Sequence, residues 1–300
     1  MKIFLENVNL KSRSGPNSFA NKLVKHLYVH KHAVTNDIKE ADVRLCFIES
    51  RLKDKTPLIQ RLDGIYFNTL HNYKDQNSVI KRTYNSSFGV IFQSEFNKKL
   101  TTRYFGEHDN GVVIHNGADL SLINETKPLV HSRISEYDNV WCCASSWRPH
   151  KRLEDNINYF LEHSEKDDCL VVAGKAEIKN KENRIIYVGE LTQKQLISLY
   201  KTSKYFVHLA WLDHCPNVVV DARAAGCQII CSSTGGTKEV AGQDAIIIEE
   251  EEWDMQPTKL YEPPRLNFSN KIDNVYNSDY DMNKVAKKYS TFLEAAKNAN

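Results

Sequence analysis

The chain has 300 residues, of which 41% are hydrophobic and 26% charged, with a formal net charge of +2. This composition is that of a globular protein with a sizeable core, and it excludes a disordered, collagen-like or coiled-coil chain. No apolar run approaches the ~18–20 residues of a membrane-spanning helix, and the first residues are too polar for a signal peptide. We therefore expect a cytoplasmic protein.

The net charge hides an asymmetry between the two halves of the chain. Residues 1–130 contain 19 basic and 13 acidic residues, a net charge of +6, whereas residues 131–300 contain 21 basic and 25 acidic residues. A basic half could hold an anionic acceptor or lie near an anionic membrane surface, but a solvated basic face has the same composition. Nucleic acid is not the expected partner.

The seven cysteines lack paired spacing and are predicted to be reduced core residues.

Short apolar runs alternate with amphipathic stretches along the chain, a pattern typical of strand–helix–strand units in parallel sheets. The strands predicted in the first half are 2–8, 41–50, 56–62, 89–95 and 111–117. Residues 120–135 lose the pattern and contain a proline, so they are predicted to be a linker. The strands predicted after the linker are 138–146, 168–174, 184–190, 204–211, 228–233 and 245–250.

Helix signals are clearest in the second half, where helices are predicted near 151–164, 193–202 and 217–225. Thr192 and Gln195 match a capping box, Pro216 suits a first helical turn, and Gly226 suits a left-handed C-terminal cap. Residues 251–280 are predicted to be mostly irregular. A last helix is predicted over 281–297, and its apolar face contains Val285, Tyr289, Phe292 and Ala296.

Two such series predict an α/β protein with two Rossmann-like domains whose parallel sheets face a central cleft. The expected division is 1–125 for the first domain and 126–280 for the second. Residues 281–300 are expected to cross back to the first domain. Ligands of open α/β sheets bind outside the carboxyl ends of the strands, so the residues there are the candidates for chemistry.

Two carboxylates lie eight positions apart after the strand predicted at 204–211. Asp213 is in a loop and Asp221 is inside the following helix. The backbone N–H groups near the start of that helix form an anion site of the kind that helix N-termini provide, and they belong to Asn217, Val218 and Val219. The alternative is that Asp213 is a helix cap and Asp221 a solvated helix position.

A basic string follows the strand predicted at 138–146. Ser146, Arg148, Lys151 and Arg152 fall where a strand end meets a helix start, the right place for cations that clamp a diphosphate. Cations at a helix N-terminus oppose the helix dipole, which favours a functional reason for them. The alternative is a basic surface.

These residues resemble the motifs of retaining glycosyltransferases with the GT-B fold, glycosyltransferase family 4 in particular. The spacing of Asp213 and Asp221 is similar to the family's pair of glutamates separated by seven residues, with aspartate at both positions. Lys151 matches the family's lysine. The family's arginine position, five residues earlier, is Ser146, and Arg148 is the expected substitute. The loop 14–18, the segments 90–99 and 112–124, and the glycine-rich turn after 228–233 match in the same order.

The resemblance implies a metal-independent enzyme that moves a sugar from a nucleotide-diphosphate-sugar to a hydroxyl of a glycan or lipid-linked acceptor, with retention and without a cofactor. It assigns the acceptor to domain 1–125 and the nucleotide-sugar to domain 126–280. The implied catalytic residues are Asp213, Lys151 and Arg148. The implied donor-binding residues are Gly15, Asp221, Asn217, Val218, Val219, Gly189, Glu190 and Leu191. The acceptor-side candidates are Arg61, Asp63 and Asn17.

Three alternatives stay open at this point. An inverting transferase or a nucleotide-sugar epimerase on the same architecture would need a positioned general base. A non-catalytic protein that binds nucleotide-sugars or glycans is favoured by the two aspartates in place of glutamates. For Arg61 and Asp63, at the end of the strand predicted at 56–62, a buried ion pair is as reasonable as a place in the cleft.

Overall fold

The structure is a computed structural model that describes residues 1–12, 14–177 and 180–299. Unit 1 comprises Met1–Ala118, Met255–Thr258 and Asp279–Asn300, and unit 2 comprises Asp119–Asp254 and Lys259–Ser278. The strands are β1 (Lys2–Glu6), β2 (Ala33–Thr35), β3 (Val43–Phe47), β4 (Leu58–Leu62), β5 (Gly89–Phe92), β6 (Gly111–Val113), β7 (Asn139–Ala144), β8 (Asp168–Ala173), β9 (Ile185–Gly189), β10 (Tyr205–His208), β11 (Gln228–Ser232), β12 (Ile246–Ile248) and β13 (Lys271–Ile272).

The helices are α1 (Gly15–Val29), α2 (Tyr73–Ser86), α3 (Glu95–Phe105), α4 (Leu120–Glu125), α5 (Leu153–His163), α6 (Gln193–Tyr200), α7 (Asn217–Ala224), α8 (Thr237–Ala241) and α9 (Met282–Asn298). Short 3₁₀ turns lie at Ile38–Glu40 and Pro149–Lys151. The strand–helix alternation predicted from the sequence is therefore present in both units, and the α/β fold class is confirmed.

The sheet of unit 1 is parallel, and its described strands have the order β2-β1-β3-β4-β5-β6. The central strands β3, β4 and β5 are buried at every residue, as expected for a parallel sheet covered on both faces. The five predicted strands are present, and all except β4 end before their predicted ends. The sequence analysis missed β2, because a three-residue edge strand produces no apolar run.

The last helix, α9, packs on the core of unit 1. Val285, Tyr289 and Ala296 are buried in that core and Phe292 packs against it, so the predicted apolar face of this helix is confirmed. The chain enters α9 through a bridge between Ala118 and Asp281. This packing explains why residues 279–300 belong to unit 1 although they follow unit 2 in the sequence.

The predicted linker 120–135 begins with a helix, so that part of the prediction is wrong. The side chain of Asp119 accepts a hydrogen bond from the N–H of Leu122 and caps α4. Lys201 Nζ then donates to the carbonyl oxygens of Ile123 and Thr126, at 3.0 and 2.7 Å. These bonds tie α4 to unit 2, and the units divide at Ala118/Asp119 rather than at the expected 125/126.

The sheet of unit 2 has the described strand order β13-β12-β11-β10-β7-β8-β9, and only the pairing of β12 with β13 is antiparallel. The six strands predicted for this half are present. The capping box of Thr192 and Gln195 is confirmed at α6, and Gly226 follows the end of α7 with a positive φ of 103°. Pro216 is the residue just before α7 rather than inside its first turn.

All seven cysteines are free and buried, as predicted. Cys142, Cys143, Cys169 and Cys231 lie within strands of unit 2.

None of the helices in the described part of the chain has the length and apolar composition of a membrane-spanning helix.

Candidate functional site

Two loops of unit 2 carry most of the polar residues that the sequence singled out. One follows β7 and leads through the 3₁₀ turn Pro149–Lys151 to α5, and the other follows β10 and leads to α7. Because β7 and β10 are paired in parallel, both loops leave the sheet at the same edge. This is the carboxyl edge, where α/β sheets bind their ligands.

Lys151 and Asp213 meet at this edge. Lys151 Nζ donates to Asp213 Oδ2 at 2.5 Å, and His208 Nε2 donates to the same oxygen at 3.0 Å. The other oxygen, Oδ1, accepts the backbone N–H of His214 at 3.0 Å. The side chains of Lys151 and Asp213 are 18% and 17% exposed. The carboxylate is therefore held at both oxygens while the pair stays accessible.

The backbone around Asp213 is held as firmly as its side chain. Leu212 has a positive φ of 57°, an uncommon conformation for a residue other than glycine. The carbonyl oxygen of Asp213 accepts the N–H of Gly236 at 2.8 Å. Gly235 lies so close that a Cβ on it would be 2.6 Å from that oxygen. The glycine-rich turn after β11 thus supports the loop that carries Asp213.

The electrostatics of the cluster leave one ionised pair among neutral histidines. Burial raises the pKa of Asp213, but Lys151 and His208 lower it by more, so it lies well below its usual range. Burial lowers the pKa of His208 and that of His214 to about 4. Burial and the charge of Lys151 lower the pKa of His150 to about 3. At neutral pH Asp213 is therefore a carboxylate beside an ammonium group.

Asp221 lies inside α7 and is only 8% exposed. The alternative that it is a solvated helix position is therefore wrong. Asp213 is not the cap of α7 either, because Pro216 occupies the cap position and the carboxylate of Asp213 binds other groups. Neither alternative, a helix cap at Asp213 or a solvated helix position at Asp221, is therefore correct.

The N-terminus of α7 differs in one detail from the anion site predicted there. The N–H of Val219 donates to the carbonyl oxygen of Pro216 at 3.1 Å, so it is already engaged. Asn217 and Val218 occupy the first two positions of the helix. The anion site predicted at this helix therefore does not include the N–H group of Val219.

The basic string after β7 divides into two kinds of residue. Arg152 is 3% exposed and donates to Glu250 at 2.7 Å, so it is a structural ion pair. Arg148 is exposed, and its side chain forms no hydrogen bond or ion pair with any residue that the structure describes. Ser146 is exposed as well. Arg148 and Lys151 are therefore the cations of this string that a ligand could use.

Gly189, Glu190 and Leu191 lie between the end of β9 and the cap of α6. The carbonyl oxygen of Gly189 accepts the N–H of Gly174 at 2.7 Å, which joins the ends of β8 and β9. Glu190 is exposed and Leu191 is half-buried. The segment leaves the same carboxyl edge of the sheet as the loops after β7 and β10, but among the described residues no hydrogen bond or ion pair joins it to Asp213 or Lys151.

In unit 1 the loop before α1 is held by its own side chains. Asn17 Oδ1 accepts the N–H of Asn9 at 2.8 Å, and Asn17 Nδ2 donates to Ser14 Oγ at 2.8 Å. Gly15 begins α1 and is exposed. Asn17 therefore shapes the loop that presents Gly15 and Ser14 at the carboxyl edge of the unit 1 sheet.

Arg61 and Asp63 form the buried ion pair that the sequence left open as an alternative. The guanidinium of Arg61 is fully buried. It binds Asp63, donates to Tyr289 Oη at 3.0 Å and to Asn116 Oδ1 at 2.8 Å, and lies 4.1 Å from the centre of the Phe19 ring. Arg61 thus joins β4 to α9 and is not exposed to an acceptor.

His208 is the member of the Asp213 cluster that the sequence analysis missed. It ends β10 and is only 3% exposed. A lone histidine at the end of an apolar strand resembles any core histidine, so its only sequence signal was its position five residues before Asp213. Among the described residues, no group of three or more histidine, cysteine, aspartate or glutamate side chains is arranged to hold a metal ion.

Comparison with known proteins adds a family match in unit 2. Residues 130–261 match the model of the family described as glycosyl transferases group 1. The match covers the loops that carry Lys151, Asp213 and Asp221. The search of the curated proteins found no significant match.

Solved structures match the chain over nearly its whole length. The Anabaena protein HepE in complex with UDP-glucose is 15% identical, with a TM-score of 0.68 over 98% of this chain and 100% of that one. WaaG, a glycosyltransferase involved in lipopolysaccharide biosynthesis, is 10% identical, with a TM-score of 0.62 over 99% and 94%. The catalytic domain of starch synthase IV from Arabidopsis thaliana, bound to ADP and acarbose, is 9% identical, with a TM-score of 0.64 over 99% of each chain. The chain therefore has the fold of the GT-B glycosyltransferases, and its residues 130–261 carry the sequence pattern of glycosyl transferases group 1.

Proposed function

We propose that the protein is a retaining glycosyltransferase of the family 4 type. It moves a sugar from a nucleotide-diphosphate-sugar to a hydroxyl of a glycan or lipid-linked acceptor, without a metal ion or cofactor. The observation that carries the proposal is the contact between Lys151 and Asp213 at the carboxyl edge of the unit 2 sheet. There the ammonium group of Lys151, proposed to bind the diphosphate, lies next to the carboxylate of Asp213, proposed to contact the sugar.

The chemistry of such a transfer requires positive charge where the diphosphate leaves. Lys151 supplies it, and Arg148 is exposed three residues away with no competing ion pair among the described residues. Each preorganised donor of this kind is typically worth about 3–4 kcal/mol of transition-state stabilisation, or about 10²–10³ in rate. In a front-face displacement the leaving phosphate takes the proton of the acceptor hydroxyl, so no covalent nucleophile is needed.

The remaining donor contacts are assigned to unit 2. Asp221 accepts hydrogen bonds from the two ribose hydroxyls, the backbone at 189–191 reads the base, and the first N–H groups of α7 face the phosphates. In unit 1, Gly15 is the donor-side candidate, at the start of α1. The matched structures of HepE and starch synthase IV contain UDP-glucose and ADP, respectively, which supports a nucleotide site. Of the acceptor-side candidates we keep Asn17 and leave out Arg61 and Asp63, because the guanidinium of Arg61 is buried and Asp63 is its counterion.

A panel of nucleotides tests the donor site. UDP, GDP, ADP and their sugar conjugates are each added to the protein and the midpoint of thermal unfolding is measured. A ligand at 100 times its dissociation constant stabilises the folded state by about 2.7 kcal/mol, enough to raise the midpoint by several degrees. We expect one nucleotide to raise it, and we expect Lys151→Ala and Asp221→Ala to abolish the rise.

The matched control is Lys166→Ala. Lys166 is exposed just before the amino end of β8, at the opposite edge of the sheet, so this variant should keep the full rise. Release of free nucleotide from the donor that binds, and the anomeric configuration of the product by NMR, then test transfer and retention. Stabilisation that survives in both site variants would contradict the donor site, and an inverted product would contradict the retaining mechanism.

Replacing Gly235 with alanine should misplace Asp213. Gly235 has a positive φ of 83°, and the new Cβ would lie 2.6 Å from the carbonyl oxygen of Asp213. A shift of about 1 Å at a catalytic group costs about 10²-fold in rate. We expect Gly235→Ala to lower turnover by about that factor, measured as nucleotide release at saturating donor.

Gly226→Ala separates this effect from backbone strain. Gly226 also has a positive φ, of 103°, but no atom lies within 4 Å of the position that its Cβ would take. Both variants should lose about 1–2 kcal/mol of unfolding free energy from the left-handed backbone, whereas only Gly235→Ala should lose turnover. Equal turnover in the two variants would show that the support of Asp213 by Gly235 is unimportant.

A further inference from the structure

His208 has a position that suits it to hold Asp213 and not to react itself. It is the last residue of β10, and its side chain is 4% exposed. Its ring lies nearly parallel to that of Phe206, 6.1 Å between centroids and 14° between planes. Its Nε2 lies 3.0 Å from Asp213 Oδ2. Because His208 belongs to a strand and its ring is buried, its side chain has little freedom to move.

The other partner of the same oxygen, Lys151, has a longer and more exposed side chain. A lysine carries its charge on a flexible four-carbon stem, and the side chain of Lys151 is 18% exposed. Under the proposed function, Lys151 must neutralise a diphosphate, which carries more negative charge than one carboxylate. When Lys151 turns to the donor, His208 is the only hydrogen-bond donor that Asp213 Oδ2 keeps among the residues that the structure describes.

We propose that His208 is a positioning residue: its buried Nε2–H keeps the Asp213 carboxylate aimed at the transferred sugar while Lys151 binds the donor diphosphate. This inference rests on the proposed function and deepens its site. His208 is not a general base, because its Nε2 is occupied by Asp213 and its ring is screened from solvent.

The protonation of the pair agrees with this arrangement. Burial lowers the pKa of His208 although Asp213 raises it, so the ring is neutral and Nε2 carries its proton towards the carboxylate. The charged and titratable groups that face the pair are Lys151 and His150, both from the 3₁₀ turn Pro149–Lys151, and His214, from the loop after β10. Burial alone would raise the pKa of Asp213, so loss of the hydrogen bond from His208 raises that pKa towards its usual range.

Two substitutions at His208 test the inference. His208→Leu removes the N–H, and His208→Gln keeps an N–H at about the same distance from the backbone. We expect His208→Leu to lower kcat by about 10- to 100-fold, the usual cost of a lost hydrogen bond to a charged group, with the KM for the donor changed by less than about threefold. We expect His208→Gln to restore kcat to within about fivefold of the wild type. His131→Leu, at an exposed histidine of unit 2, is the control and should change neither constant.

The pH dependence of kcat on its acid side is a second measurement, which a merely structural role of His208 would leave unchanged. It should shift to higher pH in His208→Leu and stay in place in His208→Gln, because only the leucine variant raises the pKa of Asp213. Unfolding midpoints of both variants establish that they are folded. Equal losses of kcat in the two folded variants, or a loss confined to KM, would overturn the inference.

A titration that needs no turnover keeps this inference separate from the proposed function. The carboxylate carbon of Asp213, assigned by comparison with Asp213→Asn, is followed by NMR against pH. We expect its midpoint to rise in His208→Leu and not in His208→Gln. If the midpoint does not move, the inference is wrong whatever the activity. If it moves while the wild type transfers no sugar from any donor, the coupling of His208 to Asp213 stands and the proposed function fails.

Discussion

Asp213→Asn is expected to abolish sugar transfer and, at the same time, to strengthen nucleotide binding. Asparagine keeps the size of the side chain but removes the negative charge 2.5 Å from Lys151 Nζ. Lys151 then has, within the described part of the chain, no anionic partner in competition with the donor diphosphate. We expect kcat to fall by at least about 10²–10³-fold, as for loss of a preorganised electrostatic group. We expect the dissociation constant of the nucleotide, by calorimetry, to fall by about tenfold, a change of about 1.4 kcal/mol.

The opposite signs of the two effects make this prediction specific. A variant that merely misfolds would lose binding and turnover together. Asp167→Asn is the matched control, because Asp167 is exposed just before the amino end of β8 and should leave both constants unchanged. Asp213→Asn with wild-type turnover would rule out a catalytic role for this carboxylate. Weaker nucleotide binding in that variant would mean that Asp213 contacts the nucleotide and does not compete with it.

Arg61→Met is expected to have the largest effect on stability, a loss of about 3–5 kcal/mol in the free energy of unfolding of unit 1. Methionine fills the space of the aliphatic stem but leaves the carboxylate of Asp63 buried without its cation. It also removes the hydrogen bonds to Tyr289 and Asn116. Urea unfolding, followed by hydrogen exchange of the amides of β4 and α9 and by circular dichroism, measures the loss.

Two further variants divide this loss into its causes. Tyr289→Phe removes one hydroxyl from α9 and should cost about 1 kcal/mol. In Arg61→Met with Asp63→Leu no charge is left unpaired, and such a double variant should regain much of the stability. If Arg61→Met alone costs less than about 1 kcal/mol, the buried pair is not what holds β4 and α9 together.

The sequence predicted the regular elements well where their signals are local. Apolar runs located the strands β1 and β3 to β12, and side-chain patterns located the capping box of α6 and the apolar face of α9. The elements that were missed are short. β2 and β13 have three and two residues, and α4 has six, so none is long enough to show a period. α4 exists because Asp119 caps it and Lys201 binds its carbonyl oxygens, and the second contact is not local.

The members of the candidate site could be predicted, but not the contacts between them. Their positions near strand ends and the family resemblance assigned Lys151, Asp213 and Asp221 to one site, but nothing in the sequence predicted the hydrogen bond between Lys151 and Asp213, which is 62 positions away. Arg61 shows the converse, because the same rule at a strand end was consistent with a ligand contact or a buried pair. Its burial depends on Tyr289, which is 228 positions away.

By itself, the sequence determined the alternation of strands and helices, the burial of the cysteines and which polar residues lie at the carboxyl ends of strands. These features follow from the spacing of the hydrophobic residues and from the residues that form turns. Only the tertiary structure decided that β10 lies beside β7, and hence that Lys151 and His208 share one oxygen of Asp213. The physical reason is that a contact between distant side chains depends on strand order and register. These are set by the packing of the whole sheet and not by any local stretch of residues.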